Sequence, residues 1–187
     1  MTNKQISLEI ALGLLLTVIA ITLNWLLMGP VVKGLNFGLF VSFIAWLIAY
    51  PVAHPIKPRI FPLFAAAIAV QTFHFLEEYA TAFYTAFPGI YGESWTSAQF
   101  ATFNVVWLVV LIVAAVGVRK NVRLALLAVW FLALVGGIGN GLLHAWLSYR
   151  NGGYFPGALT SLLAFPVGIA LVVMLVRKTK KNSEFQI

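Results

Sequence analysis

The chain has no cysteine, which excludes disulfides, thiolate metal sites and cysteine nucleophiles. It is also poor in charge. Only 9% of its 187 residues are charged, against about 25% in a water-soluble globular domain, so it lacks the polar surface to face water. Soluble linkers and low-complexity tracts are missing as well, and no segment is long or polar enough to form a separate soluble domain. What remains is apolar: 61% of residues are hydrophobic and the mean hydropathy is +0.96. This length accommodates several spans of roughly 20 apolar residues each. The composition predicts one integral-membrane domain over residues 1–187, an all-α polytopic transmembrane helical bundle in contact with the lipid bilayer.

The net charge of +7 does not point to nucleic acid, because the basic residues are scattered among loops and ends rather than gathered on one face. The apolar stretch after Lys4 is too long for a signal-peptide core and lacks a small-residue cleavage site, so it reads as a retained first span. Hydropathy and helix breakers predict six helices: Ser7 to Met28, Leu35 to Tyr50, Ile60 to Phe83, Ala98 to Val118, Leu124 to Leu147, and Gly157 to Val176. Ala53 to Pro58 reads as a proline-rich loop. Phe87-Pro88-Gly89 through Gly92-Glu93 reads as a break, with Tyr91 and Trp95 suited to a membrane interface. With six spans, ten of the twelve Lys and Arg fall on the side of the two termini, and only Lys33 and Arg150 on the other. The positive-inside bias then makes both termini cytoplasmic, in an inner or plasma membrane.

This topology places the polar residues at one depth. Gln71, His74, Glu77 and Glu78 fall in the outer half of the third helix, and Asn140 and His144 in the outer half of the fifth. Asn104 lies about 9 Å inside the outer end of the fourth at 1.5 Å per residue. Asn24, Thr160 and Ser161 belong to the same side, whereas the cytoplasmic halves are almost wholly Leu, Val, Ile, Ala and Phe. A polar pocket opening toward the outer face is expected. On the third helix Gln71, His74, Glu77, Glu78 and Thr81 share an arc of roughly 120°. Gly136, Gly137, Gly139 and Gly141 of the fifth helix read as close helix packing, or alternatively as a locally opened helix whose carbonyls line the pocket. Asn24 and Asn104 read as interhelical hydrogen-bonding residues, His54 as solvated, Glu9 as interfacial, and the six tryptophans mostly as interface anchors or lipid-facing bulk.

His74-Phe75-Leu76-Glu77-Glu78 resembles the signature of the HXXEE family of membrane proteins. Asn140-Gly141-Leu142-Leu143-His144 resembles that family's Asn-x-x-x-His pair, and Tyr154-Phe155-Pro156-Gly157-Ala158-Leu159-Thr160 a third element. The resemblance runs from about Phe73 to Thr160. It supports grouping Asn140 with the His and Glu residues and implies no particular chemistry.

A charged carboxylate near the bilayer centre costs on the order of 3 kcal/mol, and two adjacent ones also repel. Something must offset Glu77 and Glu78. In one reading a divalent transition metal (Zn, Fe or Mn) is held by His74, Glu77, Glu78 and His144, with Asn140 or Gln71 assisting. His and Glu three residues apart share a helical face, as in bundle-core metal sites. Such a centre would make the chain a membrane-embedded, hydrolase-like enzyme for a lipid or other apolar substrate, with Glu77, Glu78 and His74 catalytic. Gln71, Asn104, Tyr154 and Thr160 are then the substrate-binding candidates. In a second reading His74 and Glu78 form a metal-free acid–base pair of an isomerase-like enzyme. A proton-coupled transporter or small-molecule binding protein is the third.

Overall fold

The computed structural model is all-α and describes residues 3–50, 56 and 59–183, with side chains as far as Arg177. His54, Lys57 and, apart from Ile56, the loop expected from Ala53 to Pro58 lie outside the described residues. Six long helices are present among those described: α1 (Asn3–Met28), α2 (Lys33–Ala49), α3 (Ile60–Ala80), α5 (Ser97–Arg119), α6 (Ala125–Arg150) and α7 (Ala158–Ser183). A short α4 (Phe83–Gly89) follows α3.

Five stretches are long and apolar enough to be candidate membrane spans, against the six expected. The difference lies at Asn3–Ala49, a single helical stretch of 47 residues. It is bent back on itself. Gly29 adopts φ +67 ahead of Pro30, a 3-10 turn runs over Gly29–Val32, and α2 then returns along α1. The Tyr50 hydroxyl donates to Glu9 at 2.6 Å, the Trp46 ring covers Gly13, and Asn24 donates to Asn36 at 3.1 Å. These pairs close progressively on the turn, as in an antiparallel hairpin. Large apolar side chains face outward, with Leu26 73%, Ile48 74% and Leu162 70% exposed, as contact with lipid requires.

Along α3, α5 and α6 the buried residues sort into three layers. Nearest the chain termini, Phe64, Leu111, Leu126 and Val129 belong to an apolar core with Trp46 and Leu171. At the other end Phe83, Phe100 and Leu147 pack with Met28, Phe87, Trp95 and Phe155. Between them lie Gln71, His74, Glu78, Asn104 and His144, all buried. The convergence of polar side chains at one depth is thus present.

Three local expectations need correction. The third helix was expected to reach Phe83 but ends at Ala80, because Ala82 turns left-handed at φ 59 and α4 starts again at Phe83. Phe87-Pro88-Gly89 therefore closes a helix instead of opening a loop. The tryptophans are not mainly lipid-facing: Trp46, Trp95 and Trp130 are buried, and the indoles of Trp46 and Trp95 donate to the Arg123 and Met28 carbonyls. These bonds satisfy the polar ring atom, so the large apolar remainder can be buried.

The glycines of α6 pack closely against α7, one of the two readings made from sequence, and the helix is locally widened around them. Leu132–Gly139 is a π-helix, wider than the α-helix on either side. Its Gly137 meets Gly168 of α7 backbone to backbone, since a Cβ there would stand 2.5 Å from the Gly168 Cα. Gly141 likewise lies against the Phe165 ring. Close approach of these two backbones sets how near α6 residues come to the start of α7. Gly137→Ala is expected to destabilise the protein by about 1–3 kcal/mol, because backbone and not a flexible side chain must move. Gly34→Ala, where a Cβ meets nothing within 4 Å, should leave stability unchanged or slightly raised. Unfolding midpoints of the two variants in detergent check this contrast.

Candidate metal centre

Adjacent residues on a helix point about 100° apart, so Glu77 and Glu78 reach different surroundings. Glu77 turns toward the first turn of α7. Its Oε1 accepts from the Tyr154 hydroxyl at 2.7 Å and from the Leu159 amide at 3.1 Å. Its Oε2 accepts from the Thr160 amide at 2.7 Å and from the Thr160 hydroxyl. A helix N-terminus has backbone donors without intrahelical partners and a partial positive charge. Glu77 therefore caps α7 from another helix, and four donors offset its charge. Burial and the bond to Glu77 hold the Tyr154 hydroxyl above its ordinary pKa, so it remains a donor.

Glu78 turns inward, into contact with two histidines. Its Oε1 stands 3.4 Å from His74 Nε2 and 3.3 Å from His144 Nε2. His74 and His144 are both 0% exposed and their rings meet edge to face at 4.9 Å. Neither Nε2 has a hydrogen-bond partner among the described residues. The other nitrogen of His74, Nδ1, lies 2.9 Å from the Thr160 hydroxyl oxygen. That hydroxyl spends its only hydrogen on Glu77, so it accepts from His74. Nδ1 therefore carries the proton, and in neutral His74 the Nε2 lone pair points at Glu78 and His144. The chain Glu77, Thr160, His74 sets a tautomer in the way that outer carboxylates orient metal-bound histidines.

His74, Glu78 and His144 are all buried, and their candidate ligand atoms lie within 4.8 Å of one another. A tetrahedral ion with bonds of about 2.0–2.1 Å holds its ligand atoms roughly 3.3 Å apart. The two measured separations match this value. They exceed the ~2.7–2.9 Å of a charge-assisted hydrogen bond. The donor set fits a metal ion, with two orphaned imidazole nitrogens beside one carboxylate oxygen.

Beside this group lies a cavity of about 350 Å³. Glu78 contributes to its wall, as do Gln71, Asn104 and Asn140; the remainder is mainly aromatic and aliphatic. The residues picked from sequence thus divide into three sets. His74, Glu78 and His144 form the cluster that could hold a metal, whereas Glu77, Tyr154 and Thr160 form the network behind it. Gln71, Asn104 and Asn140 line the cavity beside that cluster. Asn24 has the structural role read for it, donating to Asn36 and accepting from the Trp107 indole. Asn104 is not bonded in that manner.

Two contributors were not singled out individually from sequence. The Leu159 amide is a backbone group, for which only a helix start after Pro156-Gly157 gives a signal. Gly157 itself has φ +87, and a Cβ there would stand 2.5 Å from His144 Cε1 and 2.9 Å from Glu78 Cγ. It lies against both side chains.

The family described as "Protein of unknown function with HXXEE motif" matches residues 65–171, which takes in His74, Glu77, Glu78, His144 and Thr160. No curated protein and no solved structure matches the chain.

Gly157→Ala should be more damaging than Gly152→Ala. Both positions have positive φ, but a Cβ at Gly152 meets nothing within 4 Å. Gly152→Ala is expected to cost about 1–2 kcal/mol from backbone strain alone, and Gly157→Ala more than that. Thermal unfolding of the two variants in the same detergent measures the difference.

Proposed function

The chain belongs to the HXXEE family, and from that premise we propose that it is a membrane-embedded, metal-dependent enzyme, hydrolase-like, acting on a lipid or other apolar substrate. The observation that carries this reading is the pair of unpartnered imidazole Nε2 atoms, each at tetrahedral ligand spacing from one Glu78 oxygen. His74, His144 and Glu78 would hold the ion, a set of three protein ligands as catalytic sites use. A divalent Zn, Fe or Mn ion there supplies Lewis acidity toward a carbonyl and activates water. Glu77 and Thr160 keep the His74 proton on Nδ1. The apolar cavity wall excludes bulk water and admits an apolar chain. Hydrolysis adds water across an ester or amide bond, giving an acid and an alcohol or amine.

The metal-free acid–base pair has less support, because the His to Glu78 separations are long for charge-assisted hydrogen bonds. Transport has less support as well. A proton or cation path would have to cross the layer of Phe64, Leu126, Val129 and Leu171, all buried and apolar. We further read residues 1–187 as a single domain of an inner or plasma membrane with both termini cytoplasmic. The excess of Lys and Arg on the terminal side supports this.

Protein purified in detergent without chelators should carry one divalent transition metal per chain by elemental mass spectrometry. His74→Ala, His144→Ala and Glu78→Gln should each abolish it; metal-free wild-type protein would overturn the reading. Thr160→Val keeps all three ligands but removes the hydroxyl that orients His74. It should weaken metal binding about 10–100-fold, measured by competition with a chelator of known affinity.

A further inference from the structure

We propose that the cavity beside Glu78 binds an uncharged, lipid-like amide, placing a neutral carboxamide group against the side chains of Asn104, Gln71 and Asn140. This names the substrate class of the proposed enzyme and rests on that reading of the site. The starting point is an unmet requirement. Asn104 and Gln71 are only 6% and 3% exposed, yet neither side chain, nor that of Asn140, has a hydrogen-bond partner among the described residues. Buried carboxamides left unpaired are costly. All three face one cavity, so a guest in that cavity supplies their partners.

The chemistry of the guest follows from the wall. A carboxamide side chain offers both a carbonyl acceptor and an NH₂ donor. An amide guest uses both functions, whereas an ester offers only acceptors. Among the described residues no Lys or Arg lines the cavity, and the one carboxylate in its wall belongs to Glu78. A carboxylate or phosphate would enter without a counter-charge and beside a like charge. A guest ammonium would have to compete for Glu78 with His74 and His144. The rest of the wall includes Met28, Phe83, Phe100 and Leu143, which suits an alkyl chain. At about 350 Å³ the space falls within the range of small-molecule pockets, roughly 300–1,000 Å³.

Entry from the bilayer is consistent with the helix packing. Gly34 and Leu35 at the start of α2 and Asn140 and Leu143 of α6 all line the cavity, and Gly34 is exposed while the other three are partly so. An apolar molecule dissolved in lipid can approach between these helices without crossing an aqueous phase.

The test uses radiolabelled dodecanamide and the full chain in nanodiscs, with equilibrium dialysis against empty nanodiscs and metal content measured on the same samples. One saturable site per chain is expected. Dodecanoic acid, dodecyl phosphate and dodecylamine should each compete at least about tenfold more weakly. Asn104→Leu and Asn140→Leu, which keep similar volume, should weaken dodecanamide binding about tenfold or more with metal content unchanged. Equal competition by the charged probes, or unaltered binding in both variants, overturns the proposal. If metal is bound but dodecanamide is not, the amide assignment fails and the metal reading stands. If dodecanamide binds with the expected selectivity to a chain that carries no metal, the cavity assignment stands and the enzyme reading fails.

Discussion

Two neighbouring carboxylates inside a lipid-spanning helix cannot both be left to themselves, and the bundle meets this constraint by separating them. Helical geometry turns Glu77 and Glu78 to different neighbours, and each neighbour offsets one charge by a different means. Glu77 receives four hydrogen bonds from Tyr154, Leu159 and Thr160 around the start of α7. Glu78 is enclosed by two imidazoles. Much else in this half of the molecule serves that division. The Gly157 turn brings α7 to Glu77, the contact of Gly137 with Gly168 brings α6 to α7, and α6 carries His144 to Glu78.

The two carboxylates are not independent, because Thr160 touches both sides of the arrangement. Its hydroxyl donates to Glu77 and accepts from His74, while its amide caps onto the same Glu77 oxygen. One residue thus joins the anchoring of α7 to the orientation of a candidate ligand. A disturbance of the helix start reaches His74 through a single side chain. Contacts thus join three short stretches, around His74, His144 and Thr160, although more than sixty residues lie between the first and second.

A good part of this was legible in the sequence. The apolar runs and their breakers located the long helices within a few residues, and the helical period put Gln71, His74 and Glu78 on one buried face. The common depth of His74 and His144 followed from the direction of each span. Other features were not legible because they depend on neighbours distant in the chain. Nothing local distinguishes a glutamate that caps a foreign helix from one that faces a histidine pair. Ala82 has no composition that announces a left-handed turn. Trp46 and Trp95 look like interfacial residues until the Arg123 and Met28 carbonyls that accept from them are in place. Asn24 and Asn104 share an interhelical reading from sequence, with Asn104 also a substrate-binding candidate, and in the fold one is tied to Asn36 and Trp107 while the other lines the cavity.

The π-helical stretch Leu132–Gly139 also bears on how such a site can arise or vanish. A π-turn is an α-turn holding one surplus residue. If this stretch rewound into a regular α-helix with every residue kept, everything beyond would rotate by about 100° relative to α3. Asn140 and His144 would leave the cavity and Glu78 together, while the hydropathy of the span would hardly change. The site therefore depends on this stretch staying π-helical, and a substitution that favours the α-helical winding would dismantle it with the membrane topology intact.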